Sequence, residues 1–189
     1  MSTVLDVRPD LLTAHREAWD ALGRPGTWFS GAQRRELAST AIRALAETGS
    51  LAPWTAPSTV DGWLPAQPVA PLAAHDAIYR IAAHASTITE PWYRQMSAEL
   101  GDLAYVEVVA MACTVAAVVT FRRAAGLDQW ELPPIEVGEP SHETPADLVT
   151  PELNWVRVTS PADERAAVVQ AFTSVPQEHE RLWRLAAAQ

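Results

Sequence analysis

The sequence predicts an all-α domain, and three observations carry that prediction. Apolar residues recur at three- and four-residue spacing through most of the chain. Glycine and proline punctuate those periodic stretches at the places where helices must start and stop. No alternation of apolar and polar residues is strong enough to argue for a sheet.

The first helix runs from about Pro9 to Leu22, because Leu11, Leu12, His15, Ala18, Trp19 and Leu22 share a face, and Gly23 with Pro25-Gly26 ends it. The second begins at Ser30, where "SGAQ" has the Ser-x-x-Gln form of a capping box. Its buried stripe is Leu37, Ala38, Ala41, Ile42 and Leu45, and Gly49 stops it. Residues 51–70 carry Pro53, Pro57, Pro65 and Pro68 with Trp54 and Trp63, which reads as an ordered loop pinned by indoles. A third helix spans about Pro71 to His84. A fourth follows Thr89, with Pro91 in its first turn and Gly101 at its end.

Asp102 is placed to cap the fifth helix, "LAYVEVVAMACTVAAVVTFRRAAG", which extends to Gly126. This helix approaches the length of a bilayer span, but Glu107 sits one turn in and alanine and threonine are frequent. A helix apolar all round is buried on several sides, so it is expected to be the long central helix of the domain or a subunit contact. Buried there, Glu107 would need a partner, with Arg80, Arg122 or an arginine of a sister subunit as candidates. The simpler alternative is a first-turn carboxylate favoured by the helix dipole.

Residues 128–151 are rich in proline and acid and predict an extended arm on the surface. "LNWVRV" follows as a short strand or extended segment, then helices from Ser160-Pro161 to about Ser174 and from Pro176 onward. The chain therefore divides into a helical domain over 1–135 and, over 136–189, the arm with two C-terminal helices packing on that domain or on a neighbouring subunit.

Composition narrows the chemistry. The chain has 189 residues, 48% of them apolar, enough for one real core. A net charge of −9 argues against nucleic acid as a partner. All 14 basic residues are arginine, which excludes a Schiff-base lysine and a phosphate-loop lysine. The single cysteine, Cys113, excludes an internal disulfide, a Cys-x-x-Cys redox centre and a cysteine-based zinc cluster. Without a basic-then-apolar leader at "MSTVLDVRPD", a cytoplasmic location and no membrane association are expected.

His75 and His84 are nine residues apart, which is no metal spacing, and each reads as a structural residue or helix-end cation; His15 reads the same way. His142 and His179 fall in charged stretches and read as solvated. Glu139 and His142 form a Glu-x-x-His, but Pro140 inside it keeps the pair off a helix face. No metal and no cofactor are expected. Eight tryptophans stand mostly near helix ends and in loops, where indoles staple loops to a core. The sharper reading is that Trp28, Trp54 and Trp63, with His75, close a pocket for a small molecule.

Two stretches, "LLTAHREAWDALGRPGTWFSGAQRRELASTAIRALAE" and "AAHDAIYRIAAHASTITEPWYRQMSAELGDLAYVEVVAMACTVAAVVTFRRAAGLDQWELPPIEVGEPS", resemble the alkylhydroperoxidase (AhpD-like) and carboxymuconolactone decarboxylase superfamily. The resemblance lies in the "R-x-E-L" helix start, the "IYRIA…T…WY" helical pair, the "YVEVV" helix and "LPP…GEPS", and extends to "LNWVRV" and "VPQEHERL". It implies a compact helical fold that assembles as trimers or hexamers (or a dimer) through its long helices. It also implies that Glu36 matches a proton-relaying glutamate. The positions of the family's two cysteines are taken by Thr48 and Leu51, and that of its histidine falls near Thr55. A chain with one cysteine cannot supply both an attacking and a resolving thiol.

The expectation is thus a divergent AhpD-like protein without the dithiol: a cofactor-free acid–base enzyme, or its remnant, of lyase or decarboxylase type. Its small-molecule pocket would lie near Glu36, with Glu36 and Glu107 as candidate catalytic groups. The alternative is a non-catalytic oligomer that binds a ligand or partner. Peroxidase chemistry through Cys113 is a residual reading, because a thiol in an apolar helix packs as a small hydrophobe.

Overall fold

The computed structural model describes residues 7–47, 64, 66–152, 154–159 and 170–188. Six helices dominate it, as the apolar periodicity predicts: α1 (Pro9–Asp20), α2 (Gly31–Glu47), α3 (Leu72–His84), α4 (Glu90–Leu100), α5 (Asp102–Ala124) and α6 (Pro176–Ala188). A 3-10 turn (Ala21–Gly23) extends α1 and another (Ala85–Thr87) follows α3.

Local chemistry sets most of the boundaries. The Ser30 and Gln33 side chains bond reciprocally, the Ser30 amide donating to Gln33 Oε1 at 2.9 Å and the Gln33 amide to Ser30 Oγ at 3.3 Å. This is the capping box read from "SGAQ". Gly101 separates α4 from α5 at φ 87°, a backbone conformation that L side chains resist. Asp102 does not cap α5. It is the first residue of that helix, and its carboxylate takes a two-pronged bond from Arg157 at 2.5 and 2.9 Å. α5 ends at Ala124, two residues before Gly126 turns left-handed at φ 68°.

α5 is the centre of the domain, packing against α1, α2, α3, α4 and α6. Val108, Met111 and Val115 are completely enclosed with Leu37 and Ala41 of α2 and Ala74 and Ile78 of α3. Each large side chain so buried contributes about 1.5–3 kcal/mol. The helix has an 18-residue window of mean hydropathy 2.0, enough by composition to cross a membrane, but 72% of that window is buried inside the protein. It is a core helix. A second apolar cluster joins Ala18 of α1, Val106 and Ala110 of α5, and Leu182 and Leu185 of α6 with Phe172 and Val175.

The arm is extended over 127–147 and is held by its backbone. Its amides at Glu136, Ser141 and His142 donate to the carbonyls of Gly23, Gly26 and Thr27 at 2.8, 3.1 and 2.8 Å. A methyl group on Gly31 would lie 2.7 Å from the Glu136 carbonyl oxygen, so glycine is what lets the arm approach. At the arm's start Trp130 lies between two guanidinium groups, Arg16 at 3.7 Å and Arg122 at 3.9 Å from its ring centre. The arm ends in a two-residue strand, β1 (Leu148–Val149), antiparallel to β2 (Val158–Thr159) at the end of "LNWVRV". The loop carrying Trp54 and Trp63, and most of the helix expected from Ser160, lie outside the described residues.

Candidate functional site

Glu36 and Thr40 are one turn apart on α2 and therefore share a face. Opposite them α3 presents His75, which has no solvent exposure. His75 Nε2 lies 2.8 Å from Glu36 Oε1, and its Nδ1 lies 2.8 Å from Thr40 Oγ1. The amides of Val69 and Ala70 donate to the same Glu36 oxygen at 3.0 and 3.1 Å. A carboxylate can only accept, so Nε2 carries an imidazole hydrogen, and in the neutral ring Nδ1 then offers its lone pair to the Thr40 hydroxyl. The result is a carboxylate–imidazole–hydroxyl chain held by α2, α3 and the turn before α3.

That chain borders a cavity of about 650 Å³. Glu36 and Thr40 are in its wall together with Arg35, whose Nε donates to Pro133 O at 2.9 Å on the arm. Leu64, Val69, Leu132 and Ile135 are the large apolar residues of the wall, Ser39 and Arg43 add further polar groups to it, and Val69 and Ile135 remain 55% and 49% exposed. His75 itself is sealed behind the wall. Of the residues expected in a pocket, the structure thus brings Glu36 and His75 together.

Glu107 belongs to a different cluster. It is completely buried and pairs with Arg34 of α2, not with Arg80 or Arg122. Arg80 is engaged by Thr87 and Trp92, and Arg122 by the Asp128 carbonyl and Trp130. Arg34 also meets Glu178 of α6 at 2.8 Å, and Glu178 in turn pairs with Arg181. The second Glu107 oxygen accepts the Trp28 amide at 2.6 Å. Burial raises the Glu107 pKa, and the positive charge of Arg34 only partly opposes it. Burial would raise Glu178 as well, but Arg34 and Arg181 together outweigh it and lower that pKa. Trp28, on the loop before α2, packs beside Glu107 and His142 and is absent from the cavity wall around Glu36.

Three single-residue expectations change. Cys113 is exposed on α5 and not enclosed, although the apolar groups that crowd it raise its thiol pKa by desolvation. His179, expected in solvent, is buried on α6. His15 is 1% exposed, lies edge-on to Phe121 at 4.6 Å, and has no hydrogen-bond partner on either nitrogen among the described residues. Among those residues, no cluster of histidine, cysteine and carboxylate side chains could hold a metal ion.

Sequence reasoning missed Thr40, Arg34 and Glu178. The four-residue spacing of Glu36 and Thr40 was a usable signal, since it puts both on one helical face. Nothing local announces Glu178 as the partner of an arginine on α2. No family model, curated protein or solved structure matches the chain.

Proposed function

We propose that the protein is a cofactor-free acid–base enzyme acting on a small apolar or acidic molecule in the cavity beside Glu36. The observation that carries this reading is the chain from Glu36 through His75 to Thr40, ending at the wall of a cavity large enough for a metabolite. General acid–base catalysis needs a titratable group within hydrogen-bond reach of the reacting proton, and Glu36 stands at that boundary. The divergent AhpD-like assignment rests on the sequence motifs, and the loss of the dithiol directs the chemistry to oxygen and nitrogen groups. Glu107 is set apart from this cavity in its ion cluster and acts in holding α2, α5 and α6 together.

The test is a metabolite screen by thermal shift, followed by turnover of whatever binds. Glu36→Gln should abolish turnover while the variant keeps its helical content. Unchanged turnover would overturn the reading and leave Glu36 as the pin that fixes Val69 and Ala70.

A further inference from the structure

We propose that Thr40 is a covalent nucleophile and that the cavity cleaves small carboxylic esters or lactones by acyl transfer through it. This rests on the acid–base reading of the same cavity and goes further by naming the attacking atom and the substrate class.

The argument begins with what His75 can reach. Its ring has no exposure and is not part of the cavity wall, so the Thr40 hydroxyl is the group through which its free lone pair meets the cavity. Thr40 Oγ1 has one hydrogen and two acceptors within range, the Glu36 carbonyl at 3.3 Å and His75 Nδ1 at 2.8 Å. The shorter contact wins, and it points the hydroxyl proton at a base. Behind the base, Glu36 accepts from Nε2 at 2.8 Å and is itself fixed by two backbone amides. Nucleophile, base and orienting carboxylate are thus each within hydrogen-bond reach of the next, the arrangement that activates an otherwise weak alcohol.

The step balances with water as the only co-reactant. Thr40 Oγ attacks the substrate carbonyl carbon while its proton passes to His75 Nδ1, and Glu36 stabilises the imidazolium. The N–H groups of Arg35 beyond its Nε meet the carbonyl oxygen as it gains charge. The carbon–oxygen bond to the leaving group breaks, and the departing oxyanion takes its proton from water in the open cavity, leaving hydroxide, because Nδ1 is sealed behind Thr40. That hydroxide attacks the acyl-Thr40 ester and releases the acid, and the Thr40 alkoxide recovers its proton from His75 Nδ1, restoring the hydroxyl and the neutral imidazole. Leu64, Leu132 and Ile135 suit an aliphatic acyl chain.

The test is intact-mass analysis and peptide mapping of the full chain after exposure to p-nitrophenyl esters from acetate to hexanoate, with nitrophenol release followed in parallel. The expected result is a stoichiometric burst and one acyl group on Thr40, lost in Thr40→Val, retained in Thr40→Ser, and formed at least 100-fold more slowly in His75→Gln. Melting of Thr40→Val close to the parent excludes unfolding as the cause of its loss. Absence of a burst across the ester series, or an adduct elsewhere that survives Thr40→Val, overturns the nucleophile. If a screened metabolite is nevertheless turned over by Thr40→Val and not by Glu36→Gln, the acid–base reading stands alone.

Discussion

Replacing Arg34 with methionine isolates the energetics of the buried charge cluster. The guanidinium is 1% exposed and neutralises Glu107 and Glu178, whose side chains are 0% and 2% exposed. The two carboxylates would not suffer equally. Glu178 keeps Arg181, whereas Glu107 keeps only the Trp28 amide. One buried carboxylate is therefore left without a counter-charge, and removing one partner of a buried pair costs about 3–5 kcal/mol. For a chain of this size, at roughly 2–4 °C per kcal/mol, the melting temperature should fall by about 6–20 °C. The sign of the pH dependence follows from Glu107. Its folded-state pKa is already raised by burial and climbs further without Arg34, so the folded state binds a proton that the unfolded carboxylate has released. The deficit of Arg34→Met should accordingly be largest near pH 7 and shrink as the pH falls through the folded pKa. Adding Glu107→Gln should recover much of the loss at neutral pH. Urea unfolding of the parent, the single variant and the double variant at pH 7 and pH 5 measures all of this. An Arg34→Met protein within about 1 kcal/mol of the parent, or one whose deficit grows on acidification, would refute the reasoning.

Two further outcomes are expected. Burial, and secondarily the charge of Arg122, lower the His15 pKa in the folded state; the contribution of the neutral ring is full above the unfolded value of 6.5 and is lost as pH falls through the lower folded value. The charge acting on the ring is Arg122 on α5, which disfavours the charged form as burial does. His15→Phe should flatten the acid limb of stability below pH 6.5, and an unchanged limb would assign it elsewhere. Trp130→Leu removes both cation–π contacts and should cost about 1–2 kcal/mol beyond packing. Chemical unfolding checks it, with Arg16→Gln expected to reproduce only part of the loss.

Much of the architecture was legible because it is local. The Ser30–Gln33 cap, the glycine at 101 and the apolar stripes of α1, α2 and α3 are each written within a few residues of where they act. α5 was legible as a buried helix for the same reason, being apolar nearly all round. What was illegible is pairing across sequence. Arg34 and Glu36 are neighbours in one segment, yet α2 turns the first into the α5–α6 core and the second toward α3 and the cavity. Two helical residues correspond to about 200° of rotation, so adjacent charges diverge, and only the neighbours of each face reveal its role. Cys113 fails in the opposite sense: on a helix so uniformly apolar, composition does not say which narrow strip stays uncovered.

The Arg34–Glu107 contact spans 73 positions along the chain, and α6 must then arrive with Glu178 to complete it. Stripping water from these ions before every counter-ion is present is unfavourable, so the cluster assembles after the apolar surfaces of α2, α3 and α5 have met. On that ordering it is a latch on the finished structure, and substitutions within it should accelerate unfolding while leaving the folding rate nearly untouched, which stopped-flow refolding and unfolding of Arg34→Met checks.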